Sequence, residues 1–279
     1  MKHIYSGHES FPCKTLWLKK GYDFIKNNNS FSAPDAVIKL GVGKNMVASI
    51  RYWMKAFGLT KNDELLPIAN YLFDPNKGKD QFIEDLGTLW LLHFFIVSLG
   101  EATLYNLLFV QLQKERKIFD RQNIVNLVKR VMTEDDKQSQ FNENTVKKDI
   151  GTLLQNYALP QKARAMDDYG ALLIDLELIR MDADGKNFIF NINGKRQIPW
   201  QIFLYAVIMA KGKDMTIGYD TLQELGLMFC MNDMEVIEMC KIIVDHYKDT
   251  IAYSDVAGIR QLHFLNNLNA EAVLDEYYG

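Results

Sequence analysis

The chain has 279 residues, 48% of them hydrophobic, enough for one large domain or two to three small ones with real cores, which excludes disorder as the default. Its most apolar stretch, residues 86–99, is broken by Gly87, Thr88, His93 and Ser98 and falls short of the roughly 18–20 residues a membrane span requires. Together with a polar start, Met1–Ser10, that lacks any export signal, this predicts a cytoplasmic protein with no membrane partner.

The formal net charge of −3 is unevenly spread: residues 1–55 hold nine Lys/Arg against three acids and 111–164 eleven against seven, whereas 56–110 hold three against seven and 165–279 nine against eighteen. Two basic islands on an acidic background suit a protein that holds a polyanion with part of its surface. The three cysteines, Cys13, Cys230 and Cys240, are too scattered for a disulfide framework or a zinc site and read as buried free thiols.

The first element pair lies between Ser32 and Gly58. Ser32-Ala33-Pro34-Asp35 has the pattern of a helix start, with Ser32 as cap and Asp35 returning it, and predicts a short helix to Leu40. Gly41-Val42-Gly43 supplies a tight turn, and apolar residues at 46, 47, 50, 53, 54 and 57 predict a second helix, Lys44 to Phe57, stopped by Gly58. Opposite that stripe the reading places Lys44, Asn45, Ser49, Arg51, Tyr52 and Lys55, as on a recognition helix that meets base edges and phosphates. A phosphate loop is the competing reading of Leu40–Asn45, but Ile38 and Asn45 stand where the pattern requires Gly and Ser/Thr.

Residues 86–99 predict a buried helix. Glu84-Asp85 before it either caps the helix or, for Asp85, offers a metal ligand; His93 on the apolar face is a core histidine more readily than a ligand. Asp120 caps a helix through Met132, and Asn142 to Thr145 cap another with the stripe Val146, Ile150, Leu153, Leu154 and Tyr157, whose outer side carries Asn144, Lys147 and Lys148. Residues 178–181 and 188–192 then form a hairpin around Asp182–Gly185, which lacks the closing glutamate of a calcium loop. The last third predicts a helix over 200–210, a short helix near Thr221, a helix over 233–247, and strands over 250–254 and 259–264, with helices acidic enough to repel phosphate.

The expected fold is therefore mainly α with small β-hairpins: helix-turn-helix and winged-helix units in tandem. The divisions are 1–110 (helical, with the helix-turn-helix), 111–198 (winged-helix-like) and 199–279 (acidic, winged-helix-like).

The polar run Gly7–Lys14 has neither helical nor strand period. It admits two readings. In one, His8 moves protons, Glu9 holds a divalent cation, and Lys14, Lys19 and Lys20 neutralise phosphate; in the other, His8 and Glu9 tie a terminal arm to the next helix.

These blocks, namely Gly7–Phe11, Trp17–Gly21, Leu40–Val47, Ile50–Trp53, Thr88–His93 and Asn144–Asp149, resemble the bacterial family known as domain of unknown function 4007 across nearly the whole chain. The resemblance implies the nicking component of single-stranded DNA phosphorothioation systems, in which sulfur replaces a backbone oxygen in phage defence. It implies as partners DNA, a cysteine desulfurase, an ATP-pyrophosphatase-like sulfur-transfer enzyme and an ATPase. Because His8 and Glu9 belong to the opening block, it strengthens the site reading of that run. The expected activity is a DNA nickase with His8, Glu9 and Lys14 as catalytic residues and Mg²⁺, or Mn²⁺, on Glu9 and Asp85. The alternatives are a non-catalytic recognition subunit that recruits the sulfur-transfer enzymes, and a transcriptional regulator.

Overall fold

A computed structural model of the chain describes residues 3–159, 170–256 and 259–279. They are mainly α-helical with small antiparallel sheets and divide into two compact units, Met1–Lys195 and Arg196–Gly279.

Unit one opens with α1 (Trp17–Lys26), α2 (Ala36–Leu40) and α3 (Lys44–Ala56). Gly41 ends α2 in the left-handed region (φ 63°), where a side chain would be strained, and α3 restarts after only Val42 and Gly43. The cap expected from Ser32 is not formed. Asp35 is the residue before α2, and its carboxylate pairs with Lys39 at 2.9 Å instead of capping. After α3 comes a hairpin absent from the sequence expectation, β1 (Thr60–Lys61) and β2 (Glu64–Leu65), closed by Asn62 and Asp63 at φ 53° and 64°. Two left-handed residues match the twist of the flanking strands. Next, α4 (Pro67–Phe73) leads to α5 (Leu86–Ser98), capped by Asp85, whose carboxylate accepts the Gly87 N–H at 2.7 Å.

Every residue from Gly87 to Val97 is buried, which makes α5 the centre of the unit. His93 is fully buried there with Nδ1 2.8 Å from the Tyr157 hydroxyl, so it is a hydrogen-bonded core histidine. No single helix among the described residues is long and apolar enough to cross a membrane. α6 (Thr103–Asn106) continues through a π-helical segment, Leu107–Leu112, into α7 (Gln113–Glu115); the division expected near residue 110 falls inside this buried run.

The unit is completed by β3 (Ile118–Phe119), α8 (Arg121–Glu134), α9 (Glu143–Tyr157), β4 (Ile179–Met181) and β5 (Phe188–Phe190), with strand order β3-β5-β4. Asp120 and Asn123 form a reciprocal capping box on α8, and Asn142 caps α9 through the Thr145 N–H. The loop carboxylate of Asp182 is a turn former: it accepts the N–H groups of Lys186 and Asn187.

Unit two comprises α10 (Trp200–Lys211), β6 (Thr216–Gly218), α11 (Tyr219–Met228), α12 (Asp233–His246), β7 (Ile251–Val256), β8 (Ile259–Phe264) and α13 (Ala270–Tyr278). Its sheet runs β6-β8-β7. Strand, two helices, then a hairpin whose second strand pairs with the first: this is the order of β3, α8, α9, β4 and β5 as well, so the connectivity occurs twice. The three cysteines are buried and free, and burial raises the Cys13 thiol well above its usual range and that of Cys240 to about 12.

Candidate nucleic-acid interface

Along α3, positions 44, 48, 51, 52 and 55 recur at helical period and face one groove of about 860 Å³. Residues 31–34 with Ala36 and Val37 form one wall, and Thr60, Asn62 and Asp63 of the hairpin close the other. Lys44 and Asn45 are exposed, and Lys44 makes no ion pair among the described residues. Arg51 forks onto Asp63 at the hairpin tip, with Nε–Oδ1 at 2.8 Å and Nη2–Oδ2 at 2.7 Å. Lys55 pairs with Glu101 at 2.8 Å. Tyr52 is half-buried, and its hydroxyl titrates above the usual range because of burial, with the Asp149 and Glu101 carboxylates adding to the shift.

Ser49 is the exception to the expected interface. It is 0% exposed, because it stands three residues after Met46 and four before Trp53 and so belongs to the buried stripe; its hydroxyl has no hydrogen-bond partner among the described residues. A fully buried side chain cannot touch DNA. Asp63, by contrast, had no role in the sequence reading. The signal available was Asn62-Asp63, a dipeptide tolerant of left-handed backbone, between strands of only two residues.

The N-terminal block is built around His8, which is 4% exposed. The Ser10 N–H donates to Nδ1 at 3.1 Å, so the ring proton resides on Nε2 and is donated to Asp149 Oδ1 at 3.0 Å. Asp149 Oδ2 accepts the Ser6 N–H at 2.7 Å. The imidazole stacks on Trp53 with centroids 6.0 Å apart and meets Tyr52 edge-on at 5.6 Å. Around it Ser6, Gly7, Glu9 and Ser10 all have positive φ, at 66°, 102°, 49° and 61°. Gly7 is forced on two counts: its φ, and the Tyr52 ring, whose Cδ2 would lie 2.7 Å from an added Cβ.

Both His8 nitrogens are thus engaged in holding the loop, Glu9 is exposed, and Lys14 is half-buried where the chain bridges to Ala171. That bridge is extended by the Thr15 N–H to the Gly170 carbonyl (3.1 Å) and the Leu172 N–H to the Cys13 carbonyl (2.8 Å). Asn156 of α9 accepts the Cys13 N–H at 2.9 Å and donates to the Tyr105 hydroxyl at 2.7 Å. Among the described residues no three His, Cys, Asp or Glu converge to hold a metal, and Asp85 acts as the α5 cap.

On α9, Asn144, Lys147 and Lys148 are exposed; Lys147 pairs with Glu143 at 2.5 Å, and Lys148 makes no ion pair among the described residues. The opposite side of the same helix supplies Asp149 and Asn156 to the N-terminal block. Asp149 was legible only as an anomaly: an acid beside Ile150 and three residues after Val146 lies on a buried stripe, where a carboxylate requires a partner. Lys19 pairs with Asp23 at 2.5 Å, and Lys20 donates to the Leu40 carbonyl at 3.0 Å, both on α1 beside a separate groove.

Comparison with known proteins places these features in a family. The family described as "Protein of unknown function (DUF4007)" matches residues 5–278. Two solved structures share the fold, described as "SspB crystal structure" and "Magnesium ion-bound SspB crystal structure", with TM-scores of 0.85 and 0.84. Each is 24% identical, with 99% of this chain and 88% of that chain covered. No curated protein matches the chain.

Proposed function

The chain belongs to the DUF4007 family, and from that premise and the α3 groove we propose that it is a DNA-binding component of a DNA phosphorothioation system. In this reading α2, the turn at Gly41–Gly43 and α3 form a helix-turn-helix with β1–β2 as its wing, and the two strand-helix-helix-hairpin sets are winged-helix units. The phosphorothioation context rests on the family resemblance and on the fold shared with SspB; it brings a cysteine desulfurase, an ATP-pyrophosphatase-like enzyme and an ATPase as partners in the cytoplasm.

The observation that carries the reading is the groove itself, floored by a helix that presents Lys44, Arg51 and Lys55 along one face. Cations spaced two turns (Lys44 to Arg51) and one turn (Arg51 to Lys55) along a helix suit a row of backbone phosphates better than any small anion. Duplex-DNA anisotropy over a range of salt tests it. Lys44→Glu is expected to weaken binding and lower the slope of log affinity against log salt by about 1. Unchanged affinity and slope would remove α3 from the DNA surface.

A second reading, that the protein nicks this DNA with Mg²⁺ or Mn²⁺, is favoured by the placement of Glu9. Gly7 lines the α3 groove, and the exposed Glu9 carboxylate follows two residues later on a loop fixed by His8 and Asp149. Glu9 would then hold the cation, Lys14 would face the phosphate, and His8 would position the loop. Supercoiled plasmid is expected to convert to open circle with the metal, and Glu9→Ala to abolish this while keeping duplex affinity. Full nicking by Glu9→Ala removes Glu9 from the mechanism, and a wild type that binds without nicking leaves the recognition role alone.

A further inference from the structure

A second groove, of about 320 Å³, lies on the outer side of α1. Its most unusual feature is Phe82, an aromatic ring 52% exposed on a well-fixed turn. The buried Asp80 carboxylate accepts the N–H groups of Glu84 (2.9 Å) and Asp85 (3.0 Å), and Asp85 in turn caps α5, so the turn is anchored to the centre of the unit. Ile83, buried and β-branched, is held at φ 58°, a conformation such residues rarely adopt. The chain thus tolerates backbone strain next to a large apolar ring left in water, a combination that packing does not explain.

The surroundings of Phe82 point to the ligand. Lys19, Lys20 and Lys39 line the groove against a single acid, Asp23, and the Lys19 ammonium lies 5.9 Å from the Phe82 ring centre. The Lys39–Asp35 pair is about half exposed on both sides, of the kind that contributes little and gives way readily to a phosphate, and Lys20 donates to the Leu40 carbonyl; Lys19, 12% exposed, pairs with Asp23 four residues on. The exposed side chain of Asn27 adds a donor and an acceptor within the same groove.

An aromatic face among lysines binds a nucleobase by stacking and its phosphates by charge, with little regard to sequence. Bases in a duplex have both faces covered by their neighbours, so only an unpaired base can use it. We propose that Phe82, with Lys19, Lys20 and Lys39, forms a binding site for a short stretch of single-stranded DNA, distinct from the α3 groove. The site rests on the DNA-binding reading and extends it. α2 separates the two grooves, with Val37 lining one and Lys39 the other, so a strand leaving the first passes within a few residues of the second.

The test uses the full chain, a fluorescein-labelled oligothymidylate and, separately, a duplex. Phe82→Ala is expected to lower oligothymidylate affinity about 5- to 150-fold, the range for losing one stacked base. Duplex affinity and melting temperature should match wild type. Phe82→Leu keeps apolar area but no aromatic face and should fall like alanine. Phe82→Trp should bind, and its added exposed indole should be quenched on binding. Wild type that holds duplex but not oligothymidylate overturns the site and leaves the α3 groove standing; so does wild-type oligothymidylate affinity in Phe82→Ala or Phe82→Leu, the latter showing that no base stacks on the ring. Binding to neither DNA overturns both.

Discussion

Replacing Asp149 with alanine removes the carboxylate that joins α9 to the N-terminal loop through His8 and Ser6. Two donors lose their acceptor: the His8 Nε2–H at 3.0 Å and the Ser6 N–H at 2.7 Å, around a carboxylate that is 6% exposed. A hydrogen bond to a charged group contributes about 1.5–3 kcal/mol, and a buried donor left without a partner costs on the same scale, giving about 3–6 kcal/mol for the two. For a unit of this size each kcal/mol lowers the melting temperature by about 2–4 °C, so unit one should melt about 6–24 °C earlier. Asp149→Asn keeps one acceptor but turns an amide donor toward the other N–H, so it should lose about half as much. Circular-dichroism melts decide the matter, and hydrogen exchange at the Ser6 and Ser10 amides shows whether the loop opens. An Asp149→Ala protein that melts within about 2 °C of wild type, or an asparagine variant as unstable as the alanine one, would refute the account of His8 as a structural tie.

Two other substitutions probe the α3 groove from opposite sides. Ser49→Ala removes a buried hydroxyl that has no partner and introduces a better helix former; stability should rise by about 0.5–2 kcal/mol in a denaturant melt, with duplex affinity unchanged, and a loss of affinity would return Ser49 to the interface. Asp63→Asn releases Arg51 from its bidentate partner, and because the pair is 51% and 35% exposed the stability change should stay below about 1 kcal/mol. Duplex affinity should increase and the salt slope steepen by about 0.9, one further phosphate contact; an unaltered slope would mean that Arg51 does not reach DNA.

The features that could be read from sequence were those whose cause is local. The apolar stripe of α3, the caps at Asp120 and Asn142, and the turn at Asp182 each depend on residues within one helical turn or one hairpin, and each stands where its residues predicted. What escaped depends on partners distant in the chain. β3 has two residues and exists because Ile118 pairs with Ile189; alone it carries no alternation to detect. Asp149 makes sense only once His8 arrives from 141 positions away. Ser49 failed for a different reason: its polarity suggested solvent, but its angular position on the helix decided its burial.

The repeated strand-helix-helix-hairpin connectivity also shows why fold cannot assign the DNA surface. α9 and α12 hold equivalent places in their respective sets, yet α9 exposes Lys147 and Lys148 against Glu143, whereas α12 exposes Asp233, Glu238 and Asp245 against Lys241, with Met234, Ile242 and His246 also exposed. On α12, residues 234, 238, 242 and 245 follow one helical face, and two of them are large apolar side chains, Met234 at 67% and Ile242 at 42% exposure. Carboxylates at that spacing repel phosphate, while exposed Met and Ile between them match the apolar centre of a protein contact with a charged rim. The same scaffold therefore carries two surfaces of opposite charge, and in the DNA-binding reading proposed above it is side-chain charge rather than topology that directs nucleic acid to the basic one.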